Sequence, residues 1–300
     1  MRLIAGTLRF VLILPAMILS AADFHIDHVT VAGTDIHKMQ DALAQIGIPT
    51  FYGGAHHNNT TEMALTSLPD GAYLELMALR EHADPKLVKQ HVWARFLEGD
   101  AGPCAWALRE ADLPAEVRRL RTAGIEVSEP VASGRVRPDG VQLDWQTSDV
   151  GGGVRGAFFP FLIRDVTPRD LRAFPEGHAP DTGFAGVSRV VIAVRDLNAA
   201  IAKYRHAFPL PQPERVTDPE FGATLARFPG TPVILAQPID PDSWLGLRLS
   251  RFGESPCAFI LAAIHANRYQ AHSRSTWFGT EVSWFDPEKL GWHLGFEEAR

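Results

Sequence analysis

The hydrophobic and polar positions of the chain follow a repeated order of one strand, one helix and three strands. Residues 24–33 alternate apolar and polar side chains with the two-residue period of a strand. Residues 35–46 then show apolar positions at helical spacing, and Asp35 is well placed to cap the first turn. Three short strand candidates follow, around residues 50–53, 63–68 and 72–79. The pattern predicts a βαβββ unit.

A second unit of the same order follows directly. Residues 104–109 form an apolar strand candidate, and residues 113–124 have a helical apolar face that ends at a glycine suited to a C-terminal cap. Three more strand candidates come after it, near residues 127–132, 141–147 and 157–163. We therefore expect two βαβββ units in the first half.

The arrangement then recurs in the second half of the chain. The segment His28–Pro49 can be laid against Arg189–Pro211, and the segment Gly102–Leu108 against Ser255–Leu261. Both pairs lie roughly 155 to 160 residues apart, which indicates a tandem duplication. We predict an α+β protein of tandem βαβββ modules that form cupped mixed sheets with helices on the outer face. One domain is expected over residues 23–170 and a second, degenerate copy over residues 171–300.

The first 22 residues have the pattern of a secretory signal. Arg2 precedes the apolar run Phe10–Leu19, and Ser20 and Ala22 supply an A-x-A-like cleavage site. The run falls well short of the roughly 20 residues that span a bilayer. We expect cleavage after Ala22, export to the periplasm or outside the cell, and no membrane span in the mature chain.

Charge and cysteine content narrow the partners. Residues 1–22 contain two arginines and no acids, so their removal takes 29 Lys and Arg to 27 against 35 Asp and Glu, a formal charge of −8. Such a surface disfavours nucleic acid, and a small molecule is the expected partner. Cys104 and Cys257 each lie in an apolar stretch and are expected to be free and buried. The chain has no nucleophile elbow, Walker loop or dinucleotide fingerprint.

Several separated phrases of the first half resemble one family. The phrase DHVTVA in the first strand and YLEL in the fourth are similar to the vicinal oxygen chelate superfamily. Four further phrases narrow the resemblance to its glyoxalase-like domain group: GGAH (53–56), ALREADL (107–113), SGRVRPDGVQLDW (133–145) and FFPFLI (158–163). The resemblance implies sheets that close into a cup, where side chains of the first and fourth strands can hold a divalent metal.

Strand parity is consistent with that cup. In the first strand Val29 faces the helices, while Ile26 and His28 share the opposite face. In the fourth strand Leu74 faces the helices and Glu75 the other side. His28 and Glu75 are therefore predicted to line the cup as catalytic residues, with Glu75 as base or ligand and His28 as ligand or proton carrier.

An imidazole and a carboxylate suit zinc, manganese, iron or nickel, so His28 and Glu75 are also candidate metal ligands. The resemblance implies a second pair of ligands near residues 105–106 and 160–161, where no ligand type stands. The neighbouring loop offers His56, His57 and Glu62 as further ligands. The alternative is a metal-free pair that lines a pocket.

The phrase SGRVRPDGVQLDW supplies candidates for ligand binding. Arg135 or Arg137 could bind a carboxylate or enolate oxygen through a planar guanidinium. Asp139 lies in a turn that it could simply shape, and Trp145 is either a stacking surface or a core aromatic.

The second half lacks these residue types. Arg189 takes the place of His28 and Ile234 that of Glu75, and residues 264–279 read as a loop. Three hypotheses follow from the whole sequence. The first is an exported enzyme, a lyase, isomerase or dioxygenase, that acts on a small oxygenated or carbonyl compound. The second is a metal-free protein that sequesters a small molecule, and the third is a purely structural role.

Overall fold

A computed structural model describes residues 24–299, and the predicted signal segment 1–22 lies outside this range. The chain forms two eight-stranded mixed sheets in tandem. The strands of the first sheet are β1 (Ile26–Gly33), β2 (Phe51–Ala55), β3 (Thr61–Ser67), β4 (Tyr73–Leu79), β5 (Gly102–Arg109), β6 (Val131–Val136), β7 (Gln142–Ser148) and β8 (Phe161–Asp165). They are arranged in the order β2-β3-β4-β1-β5-β8-β7-β6.

The second sheet repeats this arrangement. Its strands are β9 (Phe184–Ala193), β10 (Glu214–Asp218), β11 (Ala223–Arg227), β12 (Val233–Pro238), β13 (Ser255–Ala263), β14 (Ser273–Trp277), β15 (Thr280–Trp284) and β16 (His293–Glu298). Their order, β10-β11-β12-β9-β13-β16-β15-β14, matches the first sheet strand for strand. The predicted α+β fold of tandem βαβββ modules is confirmed.

The helices follow the predicted positions in the first three units. They are α1 (Ile36–Gln45), α2 (Pro85–Gln90), α3 (Ala94–Glu98), α4 (Leu113–Thr122), α5 (Arg169–Ala173), α6 (Leu197–Ala207), α7 (Trp244–Phe252) and α8 (Pro287–Leu290). Asp35 and Asp196 cap α1 and α6, because each carboxylate accepts from two backbone N–H groups of the first turn. Within residues 24–299, no helix is long and apolar enough to cross a membrane.

The main hydrophobic core is shared by the two halves. It lies on the helix-covered faces of both sheets and includes Leu43 of α1, Leu120 of α4 and Tyr204 of α6. The Tyr204 hydroxyl donates to the carbonyl of Phe158 in the other half. Apolar burial across this boundary therefore fixes the second sheet against the first. Both cysteines are buried and free, as predicted.

Three segments differ from the predictions. Residues 131–136 form β6, an edge strand exposed at four of its six positions, so its sequence lacks the expected apolar alternation. Residues 264–279 are not a loop, because they contain a 3-10 turn at Ala266–Arg268 and most of them contribute to β14. Helix α5 spans residue 170, and the division of the chain there stays a prediction.

Candidate functional site

A cavity of about 160 Å³ opens on the concave face of the first sheet. An isolated backbone bridge between His56 and Arg135 joins the two outer edges of this sheet and nearly closes the cup. The cavity is lined by a mixture of charged and aromatic side chains, among them His28, Tyr73, Glu75, Arg135, Trp145 and Arg172. Such a small, partly apolar cavity with a few convergent polar groups suits a small ligand.

Strand β4 presents its side chains as alternation predicts. Leu74 and Leu76 are fully buried in the shared core, on the helix-covered face. Tyr73, Glu75 and Met77 point the other way and line the cavity. Glu75 therefore reaches the cup because two leucines hold the opposite face of its strand in the core.

Strand β1 departs from simple alternation. Ile26 pairs with Leu108 of β5, and His28 pairs with Ala107, so β1 contains one extra residue at Asp27. A β-bulge of this kind re-aims neighbouring side chains. Ile26 packs in the helix-side core and does not share the face of His28, so that prediction was wrong. Asp27 instead turns to the side of His28.

Asp27 is the centre of a buried ionic cluster. Its Oδ1 lies 2.6 Å from Nδ1 of His28, and both carboxylate oxygens accept from Arg172 of α5 at 2.9 Å. Arg169 also donates to Asp27, and Asp165 receives Arg172 from the other side. Burial alone would raise the pKa of Asp27, but Arg172 and the hydrogen bond to His28 hold that pKa well below its usual value.

Glu75 lies between two imidazoles. Its Oε2 accepts from the Thr30 hydroxyl at 2.9 Å and lies 3.8 Å from Nε2 of His28. Its Oε1 lies 3.9 Å from Nε2 of His56. Both separations exceed a hydrogen bond, so a small ligand atom or a proton carrier can fit between these groups. Burial lowers the pKa of His56 to about 4, although Glu75 partly opposes this, and His56 is neutral at pH 7.

Arg135 brings a positive charge into the same cavity. Its guanidinium donates to the carbonyl of Gly53, and its side chain is buried. Over residues 24–299, no carboxylate forms an ion pair with Arg135. Burial lowers the pKa of Arg135, and nearby Tyr73 and Glu75 offset part of that effect. By contrast, Arg155 is paired with Asp149 at 2.5 Å.

The other predicted site residues are divided between the cavity and its surroundings. His57 is exposed at the mouth, and Trp145 lines the wall with the Arg172 guanidinium 5.8 Å from its ring.

Three predicted residues do not line the cavity. Arg137 donates to the carbonyls of Leu171 and Pro175 at 3.0 and 2.7 Å and pairs with Asp139, so it fastens the chain after α5. Glu62 accepts from the Tyr52 hydroxyl at 2.8 Å. The roles predicted for these side chains stay predictions.

Several lining residues were not found from the sequence. Asp27 stands in the DHV phrase, but strict alternation places it on the wrong face, and only the bulge brings it to His28. Arg172 comes from α5, which is distant in sequence and carries no motif. His91 and Trp93 come from the segment between α2 and α3. A ring of aromatic residues followed by a basic helix gave no signal of proximity.

The donor set does not fit the four-ligand metal site that the family resemblance implies. The wall contributed by β5 and β8 consists of apolar groups, with Ala107, Phe161 and Ile163 packed in one cluster. Among residues 24–299, no group of three or more His, Cys, Asp and Glu side chains is placed to hold a metal ion. His28 and Glu75 alone fall short of the three protein ligands usual for catalytic zinc.

The same positions differ in the second sheet. Val187 pairs with Leu261 and Arg189 with Ile260, which repeats the bulge with Ser188 in the place of Asp27. Arg189 pairs with Glu297 at 3.1 Å. The registers of both sheets place Arg189 at the His28 position and Ile234 at the Glu75 position, as the sequence predicts.

Comparison with known proteins gives one family and a shared fold. The family model described as a glyoxalase-like domain matches residues 26–212. A hypothetical protein from Staphylococcus aureus superposes with a TM-score of 0.63 at 14% identity, covering 92% of this chain and 100% of its own. A mutant of 4-hydroxymandelate synthase from Streptomyces coelicolor gives a TM-score of 0.61 at 14% identity, over 92% and 94% of the two chains. No curated protein matches the sequence significantly.

Proposed function

The chain belongs to the glyoxalase-like domain family of the vicinal oxygen chelate superfamily, and from that premise we propose that its first cup binds and transforms a small oxygenated anion. The observation that carries the proposal is the position of Glu75, 3.8 Å from one imidazole and 3.9 Å from another. These gaps adjoin a guanidinium that no carboxylate neutralises within the described chain.

Arg135 supplies the binding charge. A buried guanidinium can hold a carboxylate or enolate oxygen with two parallel hydrogen bonds, and desolvation strengthens that contact. Trp93, Trp145 and Phe161 form apolar walls around the same cavity. The ligand is therefore a compact molecule with an anionic end and a short carbon body.

Glu75 and His28 supply the acid–base chemistry. Glu75 takes a proton from the carbon next to a carbonyl, and Arg135 stabilises the oxyanion of the resulting enolate. His28 accepts or returns a proton at Nε2, which faces Oε2 of Glu75. The apolar walls limit water around the enolate.

Proton exchange tests this reaction directly. Hydroxypyruvate has a carboxylate, a carbonyl and exchangeable C3 hydrogens, so we expect the protein to speed their replacement in D₂O, measured by ¹H NMR. Glu75→Gln should lose the acceleration, while Asp139→Asn, outside the cavity, should retain it. Exchange at the same rate in the wild type and in Glu75→Gln would rule out proton abstraction by Glu75.

The second candidate function is sequestration without chemistry. It is favoured by the donor set, which stops at His28 and Glu75, and by the apolar wall of β5 and β8. A sequestering protein would bind the anion without any proton exchange, so binding and exchange measured on one sample separate the two functions.

Metal dependence is tested separately. Metal analysis of the purified protein should find no stoichiometric zinc, manganese, iron or nickel, because too few ligands converge. Thermal stabilisation by one of these ions that disappears in His28→Ala would establish a metal site.

We also propose that the chain is exported after cleavage at Ala22, which rests on residues 1–22 alone. N-terminal sequencing of the protein recovered from the periplasm or the medium should begin at Asp23. Recovery of intact chain from the cytoplasm alone would contradict export.

A further inference from the structure

We propose that Asp27 is a positioning residue that fixes the proton of His28 on Nδ1, so that the cup selects a ligand that donates a hydrogen bond between His28 and Glu75. This rests on the proposed function of the cup and names the ligand class: small hydroxycarboxylates. The role of Asp27 is carried by the bulge in β1 and by the contacts of α5.

The proton of His28 is placed by its partner. Asp27 is fully buried, and its oxygens are engaged by the guanidinium of Arg172, which keeps it an ionised carboxylate that can only accept. Nδ1 of His28 lies 2.6 Å from Oδ1, a hydrogen-bond distance. Since the carboxylate has no proton to give, Nδ1 must donate.

The other nitrogen of His28 then has a lone pair. The ring is buried and stacks on Tyr73 with centroids 4.8 Å apart, a setting that favours neutral imidazole. A neutral ring protonated at Nδ1 presents Nε2 as an acceptor. Nε2 faces Oε2 of Glu75 at 3.8 Å, too far for a shared proton.

Two acceptors therefore face each other across the cavity. The Thr30 hydroxyl already donates to Oε2 from the strand side and has no second proton to offer. A hydroxyl group of a ligand fits the gap, because it donates to one acceptor while Arg135 holds the anionic oxygen. A keto or hydrogen substituent at the same carbon leaves both acceptors without a donor.

The second sheet shows that the bulge alone does not create this arrangement. Ser188 occupies the bulge position there, and the neighbouring side chain is Arg189, which pairs with Glu297. The same backbone geometry thus acquires a defined histidine tautomer only where Asp27 and the arginines of α5 meet.

The tautomer can be read directly by NMR. In protein labelled with ¹⁵N-histidine, the His28 signals, identified by their loss in His28→Gln, should show a protonated Nδ1 and an unprotonated Nε2. Asp27→Asn should move the proton to Nε2, because the amide can donate to Nδ1. A wild-type spectrum with the proton on Nε2, or on both nitrogens, would overturn the positioning role, whether or not the Asn variant folds.

Ligand selection is tested with three molecules of similar size. We expect the wild-type protein to bind lactate about tenfold more tightly than propionate or pyruvate, measured by NMR titration. Asp27→Asn should shift the preference towards pyruvate, whereas the matched control Asp139→Asn should keep the wild-type order. Equal affinity for all three would overturn the selection while leaving anion binding intact. Failure of all three to bind would overturn the selection together with the proposed function, and the spectrum would still decide the role of Asp27.

Discussion

The two cups have one topology and opposite contents. In the first cup the side chains stop short of the centre and leave the cavity around Glu75. In the second, Phe221, Trp277 and Trp284 meet at the centre, with ring centroids 4.9 to 5.2 Å apart. Leu249 of α7 packs against the same cluster. One copy of the fold has become core and the other has kept a cavity.

The polar positions diverge in the same direction. His28 and Glu75 are separated by a gap in the first cup, whereas Arg189 in the second forms an ion pair with Glu297. Ile234 replaces the carboxylate of Glu75. The comparison teaches that backbone geometry, including the bulge, is conserved between the halves, while the chemistry depends on a few side chains.

The largest expected difference concerns the aromatic fillings. Trp277→Ala should lower the free energy of unfolding by about 3–5 kcal/mol, because it removes a buried ring from the second cup. Trp145→Ala should cost less than about 2 kcal/mol, since this ring is partly exposed beside a cavity. Denaturant unfolding of both variants measures this. Equal losses would mean that the first cup is packed as tightly as the second.

The buried ionic groups should differ nearly as much. Arg172→Met leaves the fully buried Asp27 short of a counter-charge and should cost about 3 kcal/mol or more. Arg189→Met, at the partly exposed pair of the second cup, should cost about 1 kcal/mol. Urea unfolding at pH 7 compares the two. Adding Asp27→Asn to Arg172→Met should recover part of the loss, and no recovery would show that the arginine acts through packing.

The two cups should respond alike to acid. Burial lowers the pKa of both His56 and His293 to about 4. Because these pKa values lie below about 6.5 in the unfolded chain, the unfolded state takes up the protons first as pH falls. The stabilisation is complete above pH 6.5 and is lost progressively towards pH 4, by up to about 3 kcal/mol per histidine.

The variants His56→Gln and His293→Gln check this. Each should flatten the fall in the free energy of unfolding between pH 6.5 and 4 by about one proton. The result to look for against it is a variant whose pH dependence matches the wild type.

The smallest and most equal effects belong to the helix caps. Asp35→Ala and Asp196→Ala each remove a carboxylate that accepts from two N–H groups at the start of α1 or α6. Both variants should show a small drop in Tm of similar size by calorimetry. A much larger drop for one of them would indicate that the halves differ in the helix layer as well.

Much of the scaffold could be predicted from the sequence because its signals are local and periodic. The caps at Asp35 and Asp196, the face of Glu75 and the equivalence of His28 with Arg189 follow from strand or helix periods. Edge strand β6 was missed because an exposed strand needs no apolar alternation.

The site was harder to predict because its members meet through long-range packing. A single inserted residue in β1 reverses the face of Ile26 and Asp27, and no residue type announces it. Arg172 reaches Asp27 across 145 positions of the chain. Arg135 was identified from its phrase, but only the bridge between sheet edges shows that it, and not Arg137, lines the cavity.

A crystal structure of the protein with lactate tests the central claim most directly, namely that the first cup is the ligand site and the second is not. The account predicts density in the first cup, with the carboxylate on Arg135 and the hydroxyl between Nε2 of His28 and Oε2 of Glu75. Lactate bound in the second cup, or in the first cup away from Arg135 and Glu75, would contradict it.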